Sequence, residues 1–482
     1  MSFASYDFIF LFLPIALIGF WIVQRTSDRL ALWWLSAASI VFYVQWNPRD
    51  VIVAGTSLLL NFLAARAILR DDRNGKVILL VAIAGNLLAL GFFKYLLFAV
   101  DLVQSAIGVQ LPGPPHVALP LGISFFTFTQ IAYLVDCYAK KIAGRDHVFR
   151  EYLLFVSFFP HSIAGPILHH RNLIPQFHGE FRRNLEPKLT AALILFTIGL
   201  FKKTVLADSL ATVADPAFTA ADGGTALSAL AAWLGLLSYS FQLYFDFSGY
   251  SDMAVGAALG VGMHIPFNFN SPYRADSIIE FWRRWHMSLS AFLKDYLYIP
   301  LGGNRHGPLR RYANVFVTML LGGIWHGAGL NFVIWGALHG AFIVINHVWR
   351  DRVAPRLPEI GFPRVRRAAG AIATLLCVAF AWAFFRATTV HGATNLLTSA
   401  VAMRGSDLVV QQPSLSFSLA MLAAAGLVTF AFPNSLQIHQ WVIDRRIAGW
   451  RVASAVGLAC GVLAAVAIVL VSRDSPFLYF QF

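Results

Sequence analysis

His326 is the residue of this sequence with the clearest potential for chemistry. It lies in an otherwise apolar stretch, and glycines stand on both sides of it at positions 322, 323, 327 and 329. A neutral imidazole can accept a proton in general acid–base catalysis. Glycines around it would let a substrate or a neighbouring backbone come close to the ring. We therefore take His326 as the first catalytic candidate, with a hydrogen-bonded packing histidine as the alternative.

His286 lies in segment 281–296, whose pattern predicts an amphipathic helix. The apolar face would carry Trp282, Trp285, Leu289, Phe292, Leu293 and Tyr296, and the polar face Arg283, His286, Ser290 and Lys294. Such a helix suits a membrane surface or a polar cavity. Two functions are open for its cations: anchoring on anionic lipid headgroups, or binding the phosphates of a donor substrate in a cytoplasmic vestibule.

Two carboxylates, Asp246 and Asp252, interrupt an aromatic-rich stretch at 239–252. Ionisable groups at membrane depth are costly unless they are paired or hydrated. We expect these two to be structural, holding helix ends or pairing with Arg283 or Arg284, in preference to a direct catalytic role.

A metal site is not expected. His286, His326 and His339 lack the close spacing of helical zinc ligands, and no nearby Cys or Glu completes a set. On one continuous helix, His326 and His339 would be separated by a rise of about 19.5 Å and could not serve one reacting atom.

The composition shows what must position these residues. Of 482 residues, 58% are hydrophobic and 13% charged, against about 25% charged in soluble domains. The chain is therefore an integral membrane protein. Its net charge of +13 comes from clusters between apolar runs, which the positive-inside rule explains without nucleic-acid binding.

Apolar runs predict about 11 to 13 transmembrane helices in an all-α polytopic fold. The runs are 8–24, 30–46, 51–65, 77–100, 117–135, 189–207, 226–247, 249–264, 312–349, 368–385, 417–432 and 452–471. Run 312–349 is too long for one span, so we predict two helices broken near 327–329. Segments 152–168 and 281–300 are re-entrant or interfacial candidates.

Loop charges predict the topology. In the first five loops, ten Lys and Arg residues lie on one side and only Arg49 on the other, which places the N-terminus outside. We expect a bacterial inner-membrane protein without a cleaved signal peptide. One integral domain is expected, with a membrane core at 1–349 that includes the catalytic region 239–340, a basic cytoplasmic loop at 350–367 and C-terminal helices at 368–482.

Several motifs resemble the membrane-bound O-acyltransferase (MBOAT) family, especially its alginate-acetylating bacterial branch. They are Trp-Arg-Arg-Trp-His286-Met-Ser-Leu, Tyr298-Ile-Pro-Leu-Gly-Gly-Asn-Arg305, Gly-Gly-Ile-Trp-His326-Gly-Ala and Trp335-Gly-Ala-Leu-His339-Gly. The resemblance implies a ring of helices around a central tunnel, with His326 as the catalytic base and His286 as its polar partner. Candidate residues for binding substrate or donor are Arg283, Arg284, Ser290, Lys294, Trp325, His339 and Asp246.

The same resemblance implies the substrates and partners. The donor would be acyl-CoA, expected to be acetyl-CoA, or an acyl-carrier thioester, with no permanently bound cofactor. The acceptor would be a hydroxyl of an exported polysaccharide, alginate or another exopolymer. Membrane lipid and a separate periplasmic or envelope acetyltransferase are expected partners. The alternative is a transporter or flippase for lipid-linked sugars with a histidine proton relay, which is disfavoured because no inverted repeat is evident.

Overall fold

The computed structural model describes residues 1–108, 119–143, 147–163, 165–179, 182–183, 185–356, 362–402, 413–444, 450–471 and 477–478. These ranges form helices and contain no β-strand. Seven of their helices are long and apolar enough to cross a membrane, and one pair bent by 44° could form an eighth span. The predicted all-α polytopic membrane fold is confirmed, and the larger number of spans stays a prediction.

In chain order the α-helices are α1 (Leu13–Gln24), α2 (Asp28–Val44), α3 (Pro48–Arg70), α4 (Gly75–Leu90), α5 (Leu96–Ile107), α6 (Ile123–Tyr138), α7 (Phe149–Ser157), α8 (His170–Leu173), α9 (Leu185–Phe201), α10 (Asp208–Asp222), α11 (Ala229–Gly260), α12 (Ile278–Arg284), α13 (Met287–Leu293), α14 (Gly307–His326), α15 (Leu330–Val348), α16 (Pro363–Arg386), α17 (Val390–Ala402), α18 (Leu415–Ala431), α19 (Ser435–Ile443) and α20 (Trp450–Val469). Tighter 3-10 turns occur at Ile174–His178, Pro272–Arg274 and Ala354–Arg356, and wider π-helical turns at Asp7–Phe12, Gly91–Tyr95, Lys202–Ala207, Lys294–Tyr298 and Trp349–Val353.

Helix α11 is the central element, and nearly all of its residues from Ala232 to Gly260 are buried. The prediction of two spans at 226–247 and 249–264 is wrong here, because one helix of 32 residues runs through both. Gly249 does not break it but serves close packing. A Cβ there would lie 2.6 Å from the carbonyl oxygen of Gly199 in α9, so only glycine lets the two backbones approach.

Buried ion pairs join α11 to the π-helical turn after α9. Asp246 binds Lys203 and Asp252 binds Lys202, each at 2.7 Å. The predicted pairing with Arg283 or Arg284 is therefore wrong, and the structural role of the two carboxylates stays a prediction. The partners are lysines because α9 lies against α11, whereas Arg283 and Arg284 pair with Glu280 in their own helix.

A segment far along the chain completes this core. Phe477 stacks on Tyr250 of α11 with ring centroids 4.5 Å apart. The backbone N–H of Leu478 donates to Asp246 at 3.0 Å. The chain near position 478 is thus part of the packing around α11.

Candidate active site

Helices α14 and α15 form a tight antiparallel hairpin that places His326 at its turn. A Cβ on Gly323 would lie 2.7 Å from the Cα of Gly336, and one on Gly340 3.2 Å from the Cα of Phe316. These glycines let the backbones touch along the hairpin. The predicted break at 327–329 is confirmed, because α14 ends at His326 and α15 begins at Leu330.

Close packing also fixes the turn itself. A Cβ on Gly327 would lie 2.0 Å from the ring of Phe332, so no other residue fits there without a rearrangement. The side-chain amide of Asn331 donates to the carbonyl of Ala387 at 2.6 Å, which ties the start of α15 to the end of α16. The backbone around His326 is therefore held from two directions.

The imidazole of His326 is 6% exposed and stands among aromatic rings. Its centroid lies 4.9 Å from Trp325, 5.0 Å from Trp335 and 5.3 Å from Phe385, in edge-on geometry. It is also near enough to His286, His339 and Lys94 for electrostatic interaction. The site thus holds a fixed imidazole in an apolar wall with other ionisable groups close by.

His286 reaches this site through an unusual backbone. It adopts the left-handed conformation, with φ of 43° and ψ of 54°, which costs about 1–3 kcal/mol and is concentrated at functional sites. The side chain is 1% exposed and lies edge-on to Phe247 at 4.7 Å. Neither ring nitrogen has a hydrogen-bond partner among the described residues. Buried polar atoms rarely lack a hydrogen-bond partner. A polar group of a substrate could bind these nitrogens.

The left-handed turn at His286 breaks the helix predicted over 281–296. Helix α12 ends at Arg284 and α13 begins at Met287. The cause is pairing with an earlier loop: the N–H of Asn270 donates to Arg284, and that of Met287 to Asn268. The predicted polar face is therefore wrong as a single stripe.

The members of that stripe separate accordingly. His286 turns inward, while Arg283 and Lys294 are exposed. The hydroxyl of Ser290 donates to the carbonyl of Trp282 at 3.1 Å, close to the helix break. The structure thus brings only His286 of this group to His326.

His339 lies on the other side of Trp335 from the helix turn. Its centroid is 4.8 Å from that of Trp335, which also touches His326. The indole N–H of Trp282 donates to its Nδ1 at 3.2 Å, and its Nε2 has no partner among the described residues. The antiparallel hairpin brings the two histidines to one aromatic residue, which a continuous helix could not do.

An arginine-lined cleft of about 1190 Å³ opens at the far end of α15. Six arginines face it with two carboxylates: Arg274, Arg283, Arg284, Arg350, Arg366 and Arg367 with Asp276 and Glu280. Phe342 also lines the cleft, and its ring centroid lies 6.1 Å from that of His339 in edge-on geometry. Contacts through Phe342, His339 and Trp335 therefore connect the cleft to His326.

Sequence reasoning placed only two of these arginines, Arg283 and Arg284, in a donor site. The other signal was the basic segment 350–367, which the sequence alone presented as a loop. Asp246 and Lys294, also donor candidates, do not line the cleft. Sequence reasoning also missed Lys94, although it is the only charged residue in run 77–100.

These features define an integral membrane protein with a buried histidine site at a broken helical hairpin. The model of the membrane-bound O-acyltransferase family matches residues 115–387. The chain is 37% identical to the peptidoglycan O-acetyltransferase of Helicobacter pylori over 98% of this chain and 96% of the relative. It is 40% identical to the probable alginate O-acetylase of Pseudomonas aeruginosa over 82% and 74%.

A more distant similarity, 29% identity over 48% of the chain and 60% of the relative, links it to the teichoic acid D-alanyltransferase of Bacillus subtilis. The chain belongs to the membrane-bound O-acyltransferase family and is an acyltransferase. Family membership decides against the transporter alternative.

Proposed function

We propose that the protein passes an acyl group, expected to be acetyl, from a cytoplasmic thioester to hydroxyls of an exported polysaccharide, with His326 as the general base. The observation that carries this is the position of His326. The hairpin turn holds its ring in an aromatic wall, beside a second histidine whose two nitrogens have no partner among the described residues.

The chemistry needs one base and one group that polarises or orients. The neutral imidazole of His326 takes the proton of the acceptor hydroxyl as its oxygen attacks the thioester carbonyl. A C–O bond forms, the C–S bond breaks, and the proton passes from the imidazolium to the leaving thiolate. The unsatisfied ring nitrogens of His286 are suited to holding the hydroxyl or the carbonyl oxygen in place.

The arginine cleft is the proposed entrance for the donor. Guanidinium groups bind phosphate oxygens in pairs, and coenzyme A and phosphopantetheinyl carriers both present phosphate. The cleft adjoins the cytoplasmic segment predicted at 350–367. A donor anchored there would direct its acyl end along the contacts that lead through Phe342 and Trp335 towards His326.

A charge-removal series tests the cleft. Arg283→Ala is expected to raise the KM for the donor about tenfold, since one charge-assisted contact is worth about 1.5–3 kcal/mol, with kcat little changed. Lys294→Ala is the matched control, because it removes an exposed cation of the same segment outside the cleft. Steady-state kinetics with varied donor measure both. Equal KM values for the donor in the unmodified protein and in both variants would contradict the assignment of the cleft as the donor site.

The remaining parts of the proposal concern the setting. The topology proposed from loop charges puts the N-terminus outside and the cleft in the cytoplasm of a bacterial inner membrane. The names of the relatives favour an envelope glycan as acceptor. A separate periplasmic or envelope acetyltransferase is the proposed partner that completes transfer to the polymer.

Direct transfer tests the function as a whole. Purified protein in lipid nanodiscs would be incubated with acetyl-CoA labelled in the acetyl group, together with alginate or peptidoglycan oligosaccharides. We expect mass spectrometry to detect labelled oligosaccharide. A control acceptor whose hydroxyls are blocked with propyl groups should give no labelled product. Adding envelope extract supplies the partner if transfer requires one. Absence of labelled glycan under both conditions would refute the proposal.

A further inference from the structure

Lys94 makes direct contact with the backbone that carries His326. Its ammonium nitrogen donates to the carbonyl oxygen of Trp325 at 2.8 Å and to that of His326 at 2.9 Å. These carbonyls belong to the last turn of α14, where acceptors have no partner within the helix. Two of the three N–H donors of the ammonium are used in this way. The cation is thereby fixed next to the catalytic candidate.

The surroundings of Lys94 are unusual for a charge in a membrane helix. It lies within the candidate span Gly75–Gln104, in which long apolar stretches surround it. Charges at such depth commonly pair with a residue of opposite sign. Among the described residues its polar contacts are two neutral carbonyls, and no carboxylate forms an ion pair with it. In the part of the chain that the structure describes, no acidic neighbour therefore cancels its positive charge.

The local backbone supports a functional reason for this placement. Lys94 lies in the π-helical turn Gly91–Tyr95, which separates α4 from α5. Such turns are rare and occur frequently at functional sites. The next residue, Tyr95, donates its hydroxyl to the carbonyl of Ile324 at 2.6 Å. The widened turn thus directs two consecutive side chains to the end of α14, where together they bind the carbonyls of three successive residues.

We infer that Lys94 is a further catalytic residue of the site, which stabilises the negative charge that develops on the thioester carbonyl oxygen. The inference rests on the proposed function. As the acceptor oxygen bonds to the carbonyl carbon, the C=O electron pair moves onto oxygen, and the third N–H of Lys94 would donate to that oxygen. When the C–S bond breaks, the pair returns and the thiolate leaves. Lys94 keeps its proton throughout.

A fixed cation in an apolar site is an effective stabiliser of such an oxyanion. Its two carbonyl contacts hold it in place before the reaction begins, and apolar surroundings weaken its charge less than bulk water does. Loss of one oxyanion donor typically lowers kcat about 10²–10³-fold. The carbonyls of Trp325 and His326 therefore position the ammonium group of Lys94, and its charge stabilises the oxyanion.

Three variants distinguish the effect of the Lys94 charge from that of hydrogen bonds to the end of α14. Lys94→Gln retains N–H donors for the carbonyls but removes the charge, and we expect kcat to fall about 100-fold with an unchanged donor KM. Lys94→Arg keeps the charge and should retain most of the activity. Tyr95→Phe removes one hydrogen bond to the same helix end and should change kcat less than about fivefold. Thermal melting of each variant shows that the fold is intact.

The outcomes distinguish this inference from the proposed function. Full activity of Lys94→Gln, in an assay where the unmodified protein transfers acetyl, would overturn the role of the charge and leave acyl transfer standing. Equal losses in Lys94→Gln and Tyr95→Phe would also overturn it, because they would show that capping alone matters. If the unmodified protein makes no acyl product, the proposed function itself fails.

Discussion

Replacement of His326 by alanine is expected to abolish acyl transfer, with a loss of about 10²–10⁴-fold in kcat. Its ring lies at the hairpin turn, within electrostatic reach of His286 and Lys94. Acetylation of the envelope polysaccharide, measured by mass spectrometry in a deletion strain complemented with the variant, gives the result in cells. Normal acetylation would refute the assignment of His326 as the base.

Two companion variants make that result specific. His326→Gln fills nearly the same volume within the aromatic wall but lacks a basic ring nitrogen, so we expect it to be as inactive as the alanine variant. His306→Ala changes the exposed histidine at the opposite end of α14 and should retain full activity. Equal membrane levels of all three proteins exclude a loss through misfolding.

Asp252→Ala is expected to have the largest effect on stability. Asp252 and Lys202 are both nearly buried, with 6% and 11% of their side chains exposed, and lie 2.7 Å apart. The substitution leaves the lysine charge buried without its partner, which costs about 3–5 kcal/mol. A drop in the thermal midpoint of the purified protein, followed by tryptophan fluorescence, measures it.

The paired variant Lys202→Met with Asp252→Leu tests the cause. Removing both charges restores most of the lost stability, since apolar residues of similar volume are often as stable as a buried ion pair. The hydroxyl of Ser435, which donates to Asp252, then loses this acceptor, so a smaller loss of stability remains. A double variant as unstable as Asp252→Ala would show that the shape of the pair matters more than its charge.

The hairpin could be predicted because its signals are local. The length of run 312–349 required two helices, and the glycines at 327 and 329 marked the turn. The same reasoning failed at Gly249, because a glycine that breaks a helix and one that packs against another helix are identical in sequence. Only the position of Gly199 across the interface tells them apart.

The prediction of one helix over 281–296 is wrong for a different reason. The apolar spacing is present, but backbone hydrogen bonds with the loop at Asn268 and Asn270 impose an extended Trp285 and a left-handed His286. Such pairing depends on tertiary contacts that no window of sequence contains. The break is also what turns His286 inward, so the failure of the local rule coincides with a proposed functional residue.

The order of the ion pairs along the chain bears on how the protein enters the bilayer. Lys202 and Lys203 are synthesised before Asp246 and Asp252, so the counter-ions of both carboxylates are already part of the chain when α11 is made. Insertion of α9 and α11 as a neutralised unit avoids exposing single charges to lipid. The bond from Leu478 to Asp246 spans 232 positions, and this last closure must wait until the later helices have been made.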